Sequence, residues 1–193
     1  MDKRVFVIHR WDGSPYSDWL PWIKRELESL GYAVDAPYMP NPDNPEVDPW
    51  VYYLREQVGR IDDSTFFIGH SIGCQAIMRY ASLAPENERA GGAVFVAPWI
   101  TLKNIGPSDM FVAKDWLERP IDFPKASYHL NKITAIFSET DPFVPMTDAQ
   151  LFQNMLHANI VIEQKGGHFT QDDGVLDLQV ALSEFVKIAN SSA

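Results

Sequence analysis

Short apolar runs alternate with amphipathic stretches along the chain. Val5–His9 is a β-branched and aromatic run, which predicts a buried strand. Asp18–Leu30 reads as a helix: Trp19, Leu20, Ile23, Leu27 and Leu30 share one face, Pro21 sits in the first turn and Gly31 stops it. Ala33–Ala36 is a second short strand. Met39 to Pro49 carries prolines at 40, 42, 45 and 49 and reads as a surface loop. Asp48-Pro49 then looks like a cap and first-turn proline for a helix over Trp50–Ile61. Ser64–Ile68 is a third strand, Gly73–Leu83 a helix, Gly92–Ala97 a fourth strand and Ile133–Ser138 a fifth. Thr147-x-x-Gln150 has the capping-box pattern, opening a helix with Leu151, Phe152, Met155 and Leu156. Ile160–Glu163 is a sixth strand, and Leu178, Leu182, Phe185, Val186 and Ala189 mark a closing helix. Residues 98–132 show no clear period; their prolines and scattered aromatics suggest a short cover segment.

Strands alternating with helices imply right-handed βαβ units. The expected fold is α/β: a three-layer α/β/α sandwich with about six mostly parallel strands, spanning residues 1–193 as one domain. Ligands of such sheets gather at the carboxyl ends of the strands. The informative residues should therefore follow each strand.

The chain has 193 residues, of which 46% are apolar and 22% charged. That balance suits a globular protein with a sizeable core. Its net charge of −10 disfavours nucleic acid and anionic membranes as partners. One cysteine, Cys74, excludes an internal disulfide and a multi-cysteine metal site. No metal or other cofactor is expected. No signal-peptide core follows Met1–Arg4 and no stretch reaches the length of a membrane helix, so the expectation is a cytoplasmic protein. Asn190-Ser191-Ser192 matches a glycosylation pattern and reads as chance in that setting.

Gly69-His70-Ser71-Ile72-Gly73 is G-x-S-x-G, placed where a strand turns into a helix. Such a turn lifts the serine hydroxyl above the sheet edge, and glycine on either side lets strand and helix approach. The amide of Ile72, opening the helix, can donate to an oxyanion. A serine hydroxyl needs a base. His168, behind two glycines after strand six, is the best of the five histidines. His70 reads as a supporting residue facing the strand-one loop, His9 as a shaper of that loop, and His129 and His157 as surface or satisfied-core residues. The base needs a carboxylate. Asp141 follows strand five in the stiff Asp141-Pro142-Phe143-Val144-Pro145 loop, with Glu139 a competitor. The order Ser71, Asp141, His168 is that of the α/β-hydrolases.

These motifs, with Val7-Ile8-His9, Trp19-x-x-Trp22 and Lys114-Asp115-Trp116, resemble the small serine hydrolases of the retinoblastoma-binding-protein-nine-like family. The resemblance implies a minimal α/β-hydrolase fold and a Ser71–His168–Asp141 triad acting on small carboxylic esters or amides. The family's usual glycine after the residue ending strand one is Arg10 here. The second oxyanion donor is then the amide of Trp11 or of Arg10. The Arg10 side chain either meets an acidic substrate group or pairs with Asp12. Substrate-binding candidates are Trp11, Trp99, Phe143 and Phe169; Met110, Phe111, Trp116 and Phe123 either line an acyl pocket or fill core. The competing reading is a hydrolase-fold binding module with an idle triad; no protein partner is assigned. A nucleotide binder is disfavoured, since neither a glycine-rich loop nor a P-loop follows strand one.

Overall fold

The computed structural model describes residues 3–191. Met1 and Asp2 of the charged start and Ser192 of the Asn190–Ser192 tripeptide lie outside the described residues. Within them, β1 (Arg4–Ile8), β2 (Ala33–Asp35), β3 (Thr65–His70), β4 (Gly92–Val96), β5 (Ile133–Ser138) and β6 (Asn159–Glu163) form one sheet in the order β2-β1-β3-β4-β5-β6. Every pairing is parallel. All residues of β3, β4 and β5 are buried. Strands covered on both faces need apolar residues at consecutive positions, which is why they read as runs without alternation. The edge strands β2 and β6 keep exposed positions.

The helices are α1 (Leu20–Ser29), α2 (Val47–Val58), α3 (Ile72–Ser82), α4 (Pro107–Glu118), α5 (Phe123–Leu130), α6 (Thr147–Leu156) and α7 (Gln179–Asn190). The chain steps outward from β1 to β2, then returns past β1 to β3. Right-handed crossovers place helices on opposite faces when the direction reverses. Accordingly α1 neighbours α7 on one face, while α2, α3, α5 and α6 follow one another on the other. Phe185 of α7 packs on Phe66 at 5.6 Å between ring centroids. Phe152 of α6 packs on Phe137 at 5.7 Å across the opposite face. α3 is buried on all sides, including Gln75 and Arg79.

Some strand ends shift by one or two residues from the sequence expectation, and three helix starts differ in how they are built. α2 starts at Val47, so Asp48 and Pro49 lie inside its first turn and no side chain caps it. Burial of Val47 with Trp50, Val51 and Leu54 sets the start, and a proline there gives up only an N–H the helix leaves unpaired anyway. The capping box does not form at α6, whose first residue is preceded by Met146 with no side-chain cap. Gln150 instead bonds Gln153 and Asn154. α1 begins at Leu20 rather than Asp18, which has a positive φ of 58°. Residues 98–132, left without elements by their pattern, hold two helices whose prolines, Pro107 and Pro124, stand in the first turns. α5 belongs to the helix layer beside α3 and α6. α4 is tied to the start of α2 by Trp116 Nε1 donating to Pro45 O at 2.9 Å and by the Arg119–Asp48 ion pair.

Candidate active site

Ser71 stands between β3 and α3 with φ 54° and ψ −118°. A side chain at positive φ is strained, and strain of this kind persists only where the surroundings enforce it. A Cβ at Gly69 would come 2.9 Å from the backbone of Cys74, and one at Gly73 2.5 Å from Ile8 O and 2.8 Å from His9 O. Both glycines are thus required by close approach, one to the helix and one to β1. Ser71 N–H donates to Val96 O at 2.8 Å, which pins the turn on the neighbouring strand.

The structure brings Ser71, His168 and Asp141 together from the ends of β3, β6 and β5. Ser71 Oγ lies 2.9 Å from His168 Nε2, and His168 Nδ1 lies 2.8 Å from Asp141 Oδ2. Asp141 Oδ1 accepts from the N–H groups of Phe143 and Val144 at 2.8 and 2.9 Å. A carboxylate that only accepts places the imidazole proton on Nδ1 and leaves Nε2 to take the serine proton. All three residues are buried, which strengthens each of these bonds. Their loops are also tied together. Thr140 Oγ1 accepts from the amides of Gly166 and Gly167, and Asp173 Oδ2 accepts from the amides of His168 and Thr170.

A second carboxylate and a second imidazole lie behind the first pair. His70 is fully buried, and its Nε2 is 2.8 Å from the carbonyl of His168, so Nε2 carries the proton and donates. Burial, with the neighbouring His168 adding to it, pushes the His70 pKa down from 6.5 to about 3. Its Nδ1 lies 3.7 Å from Asp18 Oδ2 and has no hydrogen-bond partner among the described residues. Asp18 is occupied elsewhere: it accepts from Arg10 Nε at 2.8 Å and from Gln171 N–H at 2.9 Å. The arginine side chain therefore pairs with the carboxylate of Asp18 and touches Asp12 only at its carbonyl, at 3.4 Å, and it holds the β1 loop to the loop that carries His168.

Arg10 needs no glycine-like backbone, because the positive φ in this loop falls on Asp12, at 52°. The Arg10 carbonyl accepts from His9 Nδ1 at 2.8 Å and from Gly13 N–H at 3.1 Å. His9 Nε2 in turn accepts from Met39 N–H at 2.9 Å, so both ring nitrogens are used by a neutral imidazole. Burial accordingly lowers the His9 pKa. With the Arg10 carbonyl held on one side of a trans peptide, the N–H of Trp11 is directed to the other side.

Of the expected substrate-binding residues, Trp11 is half-buried with its indole donating to Asp43 O, and Phe143 is half-exposed and set edge-on to His168 at 5.4 Å. Trp99 is buried, and its Nε1 donates to Ser71 Oγ at 3.2 Å. Phe169 corrects the expectation: it is 1% exposed, packs beneath Gly166 in the core and presents no surface to a ligand. Trp116 is likewise core, against Trp50, whereas Met110 and Phe111 are exposed on α4. His129 is buried and bonded to Glu88 O, and His157 is an exposed helix terminus. A hollow of about 280 Å³ between residues 44–49 and α4, and one of about 580 Å³ beside Arg60 and Tyr128, both lie away from Ser71 and His168.

Sequence reasoning missed Asp18, Thr140, Asp148, Gln75 and Arg79. The last two carried a signal: a glutamine and an arginine four residues apart on a helix otherwise apolar all round. Among the described residues, no group of three or more His, Cys, Asp or Glu side chains converges on a metal-sized site. No described helix is long and apolar enough to cross a membrane.

A serine on a strained strand-to-helix turn, hydrogen-bonded to a carboxylate-backed histidine at the carboxyl edge of a parallel sheet, is the arrangement of serine hydrolases. The model of the serine hydrolase family matches residues 5–185, and the chain belongs to that family. It is 27% identical to YdeN of Bacillus subtilis (strain 168) over 180 residues, covering 93% of each chain. It is also 27% identical to the serine hydrolase RBBP9 of Rattus norvegicus over 152 residues, 78% of this chain and 77% of the relative. The solved structure of the ydeN gene product superimposes with a TM-score of 0.86 at 25% identity, covering 96% of this chain and 98% of that one. The chain is a hydrolase with the three-layer α/β/α fold expected from its pattern.

Proposed function

We propose that the protein hydrolyses small carboxylic esters or amides through an acyl-enzyme on Ser71. The observation that carries this reading is the unbroken hydrogen-bonded chain Ser71–His168–Asp141 at 2.9 and 2.8 Å. His168 takes the proton of Ser71 as Oγ attacks the carbonyl. The amides of Ile72 and Trp11, neither bonded to a backbone carbonyl among the described residues, receive the oxyanion. The imidazolium is stabilised by Asp141 and returns its proton to the leaving group. His168 then activates water to release the acid. Short acyl chains are the expected substrates: with α5 in the helix layer, segment 98–132 leaves only the short α4 outside it, and Phe143 offers an apolar edge beside His168. The net charge of −10 disfavours anionic substrates.

The test is labelling with a fluorophosphonate together with release of p-nitrophenol from p-nitrophenyl acetate. Both are expected in the wild type and both are lost in Ser71→Ala. Labelling that persists in Ser71→Ala overturns the assignment.

A further inference from the structure

Ser71 Oγ has two hydrogen-bond partners. One is the base. The other is Trp99, whose indole N–H donates to Oγ at 3.2 Å from a side chain 1% exposed. The indole is held from several directions. Its own carbonyl accepts from Gln75 Nε2 at 3.1 Å. Gln75 Oε1 accepts from Arg79, whose guanidinium is fixed by the carbonyls of Trp116, Arg119 and Pro120. The next two residues are anchored by the fully buried Asp148, which accepts from Ile100 N–H, Thr101 N–H and Thr101 Oγ1 at 2.6, 2.8 and 2.6 Å.

The acceptor of this bond changes its nature during turnover. In the free enzyme Oγ is a hydroxyl oxygen and a good acceptor. In an acyl-enzyme it is the alkoxy oxygen of an ester, whose lone pair is drawn into the carbonyl, and it accepts poorly. When the second tetrahedral intermediate collapses, the carbon–Oγ bond breaks and its electron pair moves onto Oγ, while His168 Nε2 delivers the proton. The indole N–H then meets growing charge. In acylation the bond already exists before attack and nothing is gained on the way to the transition state.

We propose that Trp99 is a catalytic residue of the second half-reaction: its indole N–H stabilises Ser71 Oγ as a leaving group, so hydrolysis of the acyl-enzyme depends on it and formation of the acyl-enzyme does not. This rests on the serine-esterase reading above. Trp99→Phe keeps the ring in the core and removes the donor. Losing one neutral hydrogen bond corresponds to about a 3- to 10-fold change in rate.

The experiment follows the acetyl adduct on intact enzyme after mixing with p-nitrophenyl acetate, by stopped flow for its formation and by mass spectrometry for its decay. Trp99→Phe is expected to acetylate at the wild-type rate and to lose the acetyl group about 3- to 10-fold more slowly, so that kcat and KM fall together and kcat/KM holds. Unchanged decay, or formation slowed by the same factor as decay, overturns the proposal; the second result is what a merely structural tryptophan gives. A wild type that forms no adduct overturns the acyl-enzyme reading itself. Should Trp99→Phe not fold, indole 15N–1H spectra of the wild type decide. One signal, displaced in Ser71→Ala, is expected to move when Ser71 is phosphonylated; no responding indole overturns the proposal.

Discussion

Two carboxylates face two imidazoles at one end of the sheet, and they do different work. Asp141 lies 2.8 Å from His168 Nδ1 and has its other oxygen filled by two backbone amides. Asp18 lies 3.7 Å from His70 Nδ1, beyond hydrogen-bond reach: with its proton on Nε2 the ring has nothing to donate from Nδ1, and Asp18 accepts from Arg10 and Gln171 N–H instead. The His168 ring reaches the serine, while the His70 ring, 5.5 Å from it between centroids, is spent on the His168 carbonyl. One pair is arranged to move a proton. The other is arranged to keep a loop still. What separates them is which ring nitrogen carries the proton, Nδ1 toward the carboxylate in His168 and Nε2 away from it in His70, not which residue types are present.

Breaking the first pair has the largest effect. Asp141→Asn keeps the shape of the loop but offers Nδ1 an ambiguous partner, and the tautomer that presents a lone pair to Ser71 is lost. The expected fall in kcat is on the order of 10⁴-fold, with KM nearly unchanged, read from steady-state hydrolysis of p-nitrophenyl acetate. A loss below about tenfold would mean that the carboxylate does not set the tautomer.

Breaking the second pair acts through geometry. Asp18 has a positive φ of 58°, a conformation that asparagine adopts readily, so Asp18→Asn removes charge without adding backbone strain. Arg10 then loses its charged acceptor, at a cost of about 1.5–3 kcal/mol in urea unfolding. The β1 loop and the His168 loop, now joined less firmly, drift apart. The same variant is expected to lose kcat/KM by about 10- to 100-fold, the penalty for a small displacement of reacting groups. Wild-type stability together with wild-type kcat/KM in Asp18→Asn would remove Asp18 from the account.

The difference between the pairs also marks what the sequence could reveal. Ser71, Asp141 and His168 each lie in the segment that follows a strand, and local glycine and proline chemistry frames them. Asp18 sits ahead of an amphipathic helix and reads as its start. Its partners stand 8 and 153 positions away, and no local pattern encodes such a contact. The helices of residues 98–132 were hidden for a related reason. Pro107 and Pro124 look like breakers, yet a proline in a first turn opens a helix. Phe169 was misplaced because a residue beside a site histidine can turn either way. With φ 56° it turns inward. Trp99 was read as pocket lining from its place in the 98–132 cover segment, and only its bond to Oγ distinguishes a donor from a wall.

The smallest effect isolates the buried His70. His70 is held at a pKa of about 3 by burial, against 6.5 when exposed. Between those values the unfolded chain binds a proton that the folded chain excludes, so stability falls as pH drops from about 6.5 toward about 3. His9, also lowered by burial, contributes in the same direction. His70→Gln places an amide N–H where Nε2 donates to the His168 carbonyl and removes the titrating group. Its urea midpoint is expected to decline less than that of the wild type between about pH 7 and about pH 4.5. The acid limb of kcat/KM is expected to stay where it is in the wild type, because His70 is neutral throughout that limb and its replacement changes no charge beside His168. A limb that moves with the substitution would show His70 carrying charge at the pH of catalysis, and the division of labour between the two pairs would fail.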